Sequence, residues 1–204
     1  MRSRGFTLIE LVVVLTISAI LVAAAVPSFM WFISTTRVSN GANNFSAALE
    51  RARSEAVRRG AVVSICRTLD PNAAGGALAC TNAAGGVYPL GDWGAGWVMF
   101  EKRMPTAAGV FDWNAGAGDV VLQREQPVGT AGARLLVQSN VAGAAVAYDR
   151  FASAASSTPA FSIDYRDPSV VPLSGAARCL VVAAVTGRVR IDRPTAAQMT
   201  AGAC

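Results

Sequence analysis

The first third of the chain combines one long apolar segment with an amphipathic one. Residues 6–33 contain a single charged side chain, Glu10, and exceed the roughly 20 residues needed to span the hydrocarbon core of a bilayer. From Val38 onward, apolar or small residues recur at steps of four and three, which places them on one face of a helix. We therefore predict one helix from about residue 7 to residue 59, whose outer half packs against a globular head.

Pro27 interrupts this helical pattern. Proline lacks a backbone donor, and its ring clashes with the preceding turn of a helix. We therefore predict a kink or local melting near residues 23–27.

Beyond Gly60 the pattern changes to short strand-like runs separated by loops rich in glycine, alanine and asparagine. The predicted fold class is α+β, in which the long helix packs on an antiparallel head of two sheets. Strands are expected at residues 61–68, 96–102, 120–125, 134–139, 145–150, 160–165, 178–185 and 188–192.

The composition argues against catalysis. The 204 residues include no histidine, which excludes Ser-His-Asp and Cys-His catalytic units and removes the commonest zinc ligand. Neither a phosphate-binding loop nor a dinucleotide fingerprint is present, and the aspartates lack the spacing of a calcium loop. We predict a chain that is not an enzyme and has no cofactor, no metal site and no small-molecule substrate.

The chain has four cysteines, and none of them forms a C-x-x-C pair. In an exported protein, an even number of cysteines is typical of disulfide bonds. Four cysteines allow three pairings. We favour the sequential one, which closes two short loops: Cys66–Cys80 and Cys179–Cys204.

Three interpretations compete for residues 1–33. Two arginines, an apolar run and small residues at 23–25 fit a cleaved secretory signal, and the length also fits a plain membrane anchor. Neither explains Gly5 or the carboxylate of Glu10. The secretory signal would also leave apolar residues 29–33 exposed on the mature chain.

The segment MRSRG-FTLIE, residues 1–10, resembles the class III signal of type IV pilins and their relatives. The resemblance implies that a prepilin peptidase cuts between Gly5 and Phe6 and methylates the new amine of Phe6. It also implies a single-pass anchor in the bacterial inner membrane, with the head in the periplasm, that later enters a filament core. The expected parts are a leader (1–5), an apolar helix (6–33), its amphipathic half (34–60) and the head (61–204).

Glu10 then has two explanations. In a filament, its carboxylate would meet the Phe6 amine of a neighbouring subunit, because opposite charges attract strongly in a low-dielectric core and fix one axial register. Alternatively, the side chain extends to the lipid headgroups.

Two head motifs resemble the GspH/FimT group: GDWGAGWVMF at 91–100 and GRVRI at 187–191. Trp93 and Trp97 of the first motif are expected in the core of the head. Members of this group are minor pilins of type IV pili or minor pseudopilins of type II secretion systems. The resemblance implies assembly with other major and minor pilins, at or near a filament tip, and leaves pilus and secretion system as alternatives.

Arginines cluster near the C-terminus. Arg188 and Arg190 lie two residues apart and share one face of a strand, Arg193 follows, and Arg178 belongs to the preceding strand. Such a row suits phosphate binding without sequence preference, and some FimT-type pilins resembling this chain bind double-stranded DNA there during natural transformation. Alternatively, these arginines are solvated or pair with acidic residues. The sequence places no aromatic residue among them for base stacking.

Overall fold

The computed structural model describes residues 7–103, 111–127, 134–140, 145–154, 159–166 and 177–195. Within these ranges a long helix, α1, precedes eight strands, which confirms the predicted α+β class. α1 spans Leu8–Arg59, and the strands are β1 Val62–Arg67, β2 Trp97–Lys102, β3 Val120–Glu125, β4 Arg134–Ser139, β5 Ala145–Tyr148, β6 Ala160–Arg166, β7 Arg178–Val182 and β8 Val189–Asp192.

Both ends of α1 are capped. The Thr7 side chain accepts from the backbone N–H of Glu10, and Gly60 adopts a left-handed conformation and donates to the carbonyls of Ala56 and Val57. The helix runs without a break through residues 23–27. Local melting near Pro27, one of the two effects predicted there, is therefore wrong, because proline removes only one donor from the ladder.

The outer half of α1 packs its predicted stripe against the head. By contrast, large apolar side chains between Leu8 and Phe32 are 40–80% exposed. By length and composition, α1 is the one helix among the described residues that could cross a membrane. The buried stripe consists of Val38, Ala42, Phe45, Leu49, Ala52 and Ala56.

The strands form two antiparallel sheets, as predicted. One has the order β3-β2-β1-β5 and the other the order β4-β6-β7-β8. The main core lies between the two sheets and α1. β5 and β7 end two and three residues earlier than expected, because Asp149 starts a turn that its own carboxylate caps and residues 184–186 form the next turn.

Trp93 and Trp97 are core residues, as predicted. They are 2% and 6% exposed, and each ring meets Phe45 edge to face. Gly96 lies between them with φ +124°, and a Cβ there would lie 2.5 Å from the Pro71 ring. The aromatic motif therefore joins α1 to the start of β2.

Cys66 and Cys80 form a disulfide, which confirms the first predicted pair. Cys179 is also disulfide-bonded. Its predicted partner, Cys204, lies outside the described residues.

Candidate assembly segment and arginine hairpin

The apolar half of α1, residues 8–33, is a surface that the head does not cover. An apolar surface of this length is stable only in lipid or against other apolar helices. The amphipathic half continues the same helix into the core of the head. Any force on the apolar half is therefore transmitted to the head through one uninterrupted element.

Glu10 closes a capping box at the start of this segment. Its Oε2 accepts from the Thr7 backbone N–H at 3.0 Å and from the Thr7 hydroxyl at 2.9 Å, while the Thr7 hydroxyl oxygen accepts from the Glu10 N–H at 3.3 Å. The carboxylate thus folds back on the helix start rather than extending away from it. Gly5 and Phe6 lie outside the described residues, but Phe6 directly precedes the capping Thr7 in the chain. An amine at Phe6 would be one residue from this cap.

The arginine hairpin, residues 178–193, consists of β7, a turn and β8. Arg188 is exposed at the end of the turn, and Arg190 is 76% exposed on β8, on the face opposite the core-packed Val189. Arg190 Nε lies 2.6 Å from Asp192 Oδ2, so part of its charge is neutralised within the strand. The end of the turn and the outer face of β8 together therefore carry two guanidinium groups and one carboxylate.

The other two arginines of the predicted row lie at the opposite end of the hairpin. Arg193 is exposed just after β8. Arg178 is partly buried at the start of β7 and donates to the adjacent Ala177 carbonyl. The structure thus brings Arg188 and Arg190 together, whereas Arg178 and Arg193 are near the far end of the strands.

Two residues of α1 that the sequence did not single out hold the hairpin in place. Glu50 Oε1 accepts from the backbone N–H of Val189 at 3.0 Å, which satisfies a donor on the edge strand. Arg53 Nε donates to the Ala152 carbonyl at 3.3 Å, and Ala152 packs directly against Gly187. In the sequence, both appear as ordinary solvated charges beside the apolar stripe.

The conformation of Gly187 explains why a glycine begins the GRVRI motif at 187–191. Its φ is +62°, and a Cβ there would lie 2.2 Å from the Ala152 carbonyl oxygen. We expect Gly187→Ala to lower the free energy of unfolding by about 2 kcal/mol or more, because strain and close contact add. Gly76→Ala is the matched control, since nothing lies within 4 Å of a Cβ there. Urea unfolding would test this, and equal changes for the two variants would contradict it.

Known protein families and solved structures resemble this chain in sequence and in fold. The family profile described as Type II transport protein GspH matches residues 41–187, and that of the Prokaryotic N-terminal methylation motif matches residues 1–26. The chain is similar to a crystal structure of the type IV minor pilin FimU of Pseudomonas aeruginosa (strain PAO1), at 18% identity and a TM-score of 0.50, over 78% of this chain and 94% of that chain. A second crystal form of FimU gives 18% identity and a TM-score of 0.47, over 77% and 97%. No curated protein sequence matches significantly.

Proposed function

We propose that this chain, which belongs to the GspH family of type IV pilin-like proteins, is a minor pilin that joins a type IV pilus at or near its tip and primes assembly. One observation carries the proposal: an uncovered apolar half-helix, matched by the methylation motif, continues into a helix fixed in the head. The role is structural, as expected of a pilin-like family, and needs no catalytic site.

Processing and topology complete the proposal. The prepilin peptidase would cut between Gly5 and Phe6 and methylate the Phe6 amine. Two arginines precede the apolar run, and basic residues favour the cytoplasmic side of a membrane, which puts the head in the periplasm. The Cys66–Cys80 disulfide agrees with that oxidising compartment.

A minor pseudopilin of a type II secretion system is the alternative, and the description of the matched family favours it. Deleting the gene in its native host would separate the two. Loss of surface pili with normal secretion supports the pilus, and loss of secretion with normal pili supports the pseudopilus. For the pilus, we also expect the chain in the sheared filament fraction at a small proportion of the major subunit.

The arginine hairpin supports a second activity, binding of double-stranded DNA. Arg188 and Arg190 are both exposed to solvent, where a phosphate can reach them, although Arg190 is also paired with Asp192. We expect the Arg188→Ala/Arg190→Ala variant to bind duplex DNA about tenfold more weakly at low salt and with a shallower salt dependence, because about two phosphate contacts are lost. A mobility-shift assay at two salt concentrations, using the chain in detergent micelles, would measure both effects.

Two further variants sharpen this test. Arg58→Ala/Arg103→Ala removes the same charge from exposed sites outside the hairpin and should change affinity little. Asp192→Asn releases Arg190 from its ion pair and should raise affinity. Equal losses for the two double variants would assign the effect to net charge and contradict a site on the hairpin.

A further inference from the structure

A cleft of about 700 Å³ lies in the head between α1, β3 and β4. Its floor contains Phe45, Trp93 and Trp97, and its rim is polar and charged. A cleft of this size, with an apolar floor and a few polar groups, is typical of a binding site. Neither the apolar half of α1, residues 8–33, nor the arginine hairpin contributes to it.

Strand edges border the cleft. β3 and β4 are the terminal strands of the two sheets, and among the described residues no strand pairs with the outer edge of β3. On β4, the Val137 N–H is satisfied by Asp92 Oδ1 at 3.0 Å, and Gln138 forms an isolated bridge with Asp92. An open strand edge beside an apolar floor is the arrangement that binds an extended peptide segment.

Three buried polar atoms of residues that line the cleft have no hydrogen-bond partner in the described structure. They are Trp93 Nε1, on a side chain that is almost fully buried, Gln123 Oε1 on β3, and Arg134 Nε on β4. Each of these atoms is itself buried, so a ligand reaches it only if neighbouring side chains move. A peptide group would then supply both the acceptor and the donor that buried polar groups normally have.

The charged side chains around the cleft indicate which charge a ligand should carry. Arg37 and Arg51 of α1 line the cleft, whereas Glu125 is the acidic residue among its described lining residues. Arg134 also lines it, but its Nε lies 3.7 Å from Asp92 Oδ2, so that charge is compensated. Arg51 is exposed and takes part in none of the ion pairs among the described residues. The exposed guanidinium of Arg51 favours a carboxylate on the ligand.

We propose that this cleft is a docking site for an extended segment of another protein in which apolar side chains alternate with carboxylates. The backbone of the segment lies along the open edge of β3, its apolar side chains cover the tryptophan floor, and a carboxylate contacts Arg51. This inference is independent of DNA binding and of the choice between pilus and secretion system.

The test uses the full chain in detergent micelles, labelled with fluorotryptophan. The probe is an acetylated, amidated hexapeptide of alternating valine and glutamate. The fluorine resonances of Trp31 and Trp113 are assigned first with single Trp→Phe variants, which leaves those of Trp93 and Trp97. We expect the peptide to shift the Trp93 and Trp97 resonances in a saturable way and to leave the other two unchanged.

Three variants and one control peptide complete the test. Arg51→Glu should weaken binding by about fivefold to tenfold through lost attraction and new repulsion. Ala47→Phe, at an exposed position of α1 that lines the cleft, should block binding, whereas Arg188→Glu on the hairpin should have no effect. A peptide with lysine in place of glutamate should bind poorly.

The proposal is overturned if the Trp93 and Trp97 resonances do not move at millimolar peptide. It is equally overturned if the lysine peptide shifts them as strongly, or if Arg51→Glu and Arg188→Glu behave alike. Shifts that depend on protein concentration without peptide would show that a second copy fills the cleft instead.

Discussion

We expect Arg67→Met to lower the free energy of unfolding of the head by about 3–5 kcal/mol. The substitution removes a buried cation and leaves its hydrogen-bond acceptors and the nearby Asp92 carboxylate without it. Arg67 is fully buried and donates to four backbone carbonyls between strands β1 and β2. Methionine supplies no donor to these carbonyls, and among the described residues only those of Asp92 and Pro89 also accept from a backbone N–H, that of Ala95 and of Asp92 respectively. The acceptors are Asp92 at 2.6 Å, Thr81 at 2.5 Å, Ala83 at 2.9 Å and Pro89 at 3.5 Å.

The charge of the Asp92 carboxylate adds to the loss of stability in Arg67→Met. Burial raises the pKa of the Asp92 carboxyl, and the nearby cations Arg67 and Arg134, with two backbone hydrogen bonds, oppose the rise. Because the folded pKa is raised, ionisation of Asp92 costs stability as pH rises through the range above its ordinary value. Removing Arg67 increases that cost. The loss in Arg67→Met should therefore be larger at neutral pH than in acid, where Asp92 is protonated.

Urea unfolding of the chain in micelles, followed by tryptophan fluorescence, would measure the loss. Arg58→Met is the matched control, since Arg58 is 64% exposed and its ion pair with Glu55 contributes about 1 kcal/mol or less. Arg67→Lys keeps the charge without the planar fork and should be intermediate. Similar midpoints for Arg67→Met and Arg58→Met would show that the buried guanidinium does not stabilise the loop.

Replacing Glu10 with glutamine is expected to reduce incorporation into filaments by about tenfold or more. A neighbouring Phe6 amine would then be buried in the filament core without a counter-charge. Glutamine can still close the capping box with Thr7, so the local helix start is preserved. Quantitative immunoblots of sheared filaments and of membranes would measure the ratio of incorporated to membrane-bound chain.

Two other substitutions separate the charge from the cap. Glu10→Asp keeps the charge and should restore part of the incorporation, whereas Glu10→Ala removes both charge and cap and should be no better than Glu10→Gln. Normal incorporation of Glu10→Gln would leave the capping box as the whole role of this carboxylate.

Local periodicity explains how much of the fold could be predicted. The helical stripe from Val38 to Ala56 and the short strand-like runs at 120–125 and 134–139 depend on neighbours in sequence. The structure buries the stripe and forms β3 and β4 over those ranges. The end of α1 at Gly60 could be predicted for the same reason, because a left-handed glycine that ends a helix depends only on the local backbone conformation.

Long-range contacts explain what was missed. Arg67 lies at a strand end and resembles a solvated cation, yet it is buried because the loop tied by the Cys66–Cys80 disulfide turns its carbonyls inward. The cleft likewise requires β3, β4 and α1 to meet in space. Asp192 was visible in the sequence, but its ion pair with Arg190 depends on the strand geometry of β8.

Intact mass spectrometry of the chain purified from its native membrane is the most direct measurement. We predict a mature chain that begins at Phe6, carries one methyl group on its amine and retains the apolar half of α1. A chain that begins at Val26 or later would contradict it, because the part of the helix that enters a filament would have been removed.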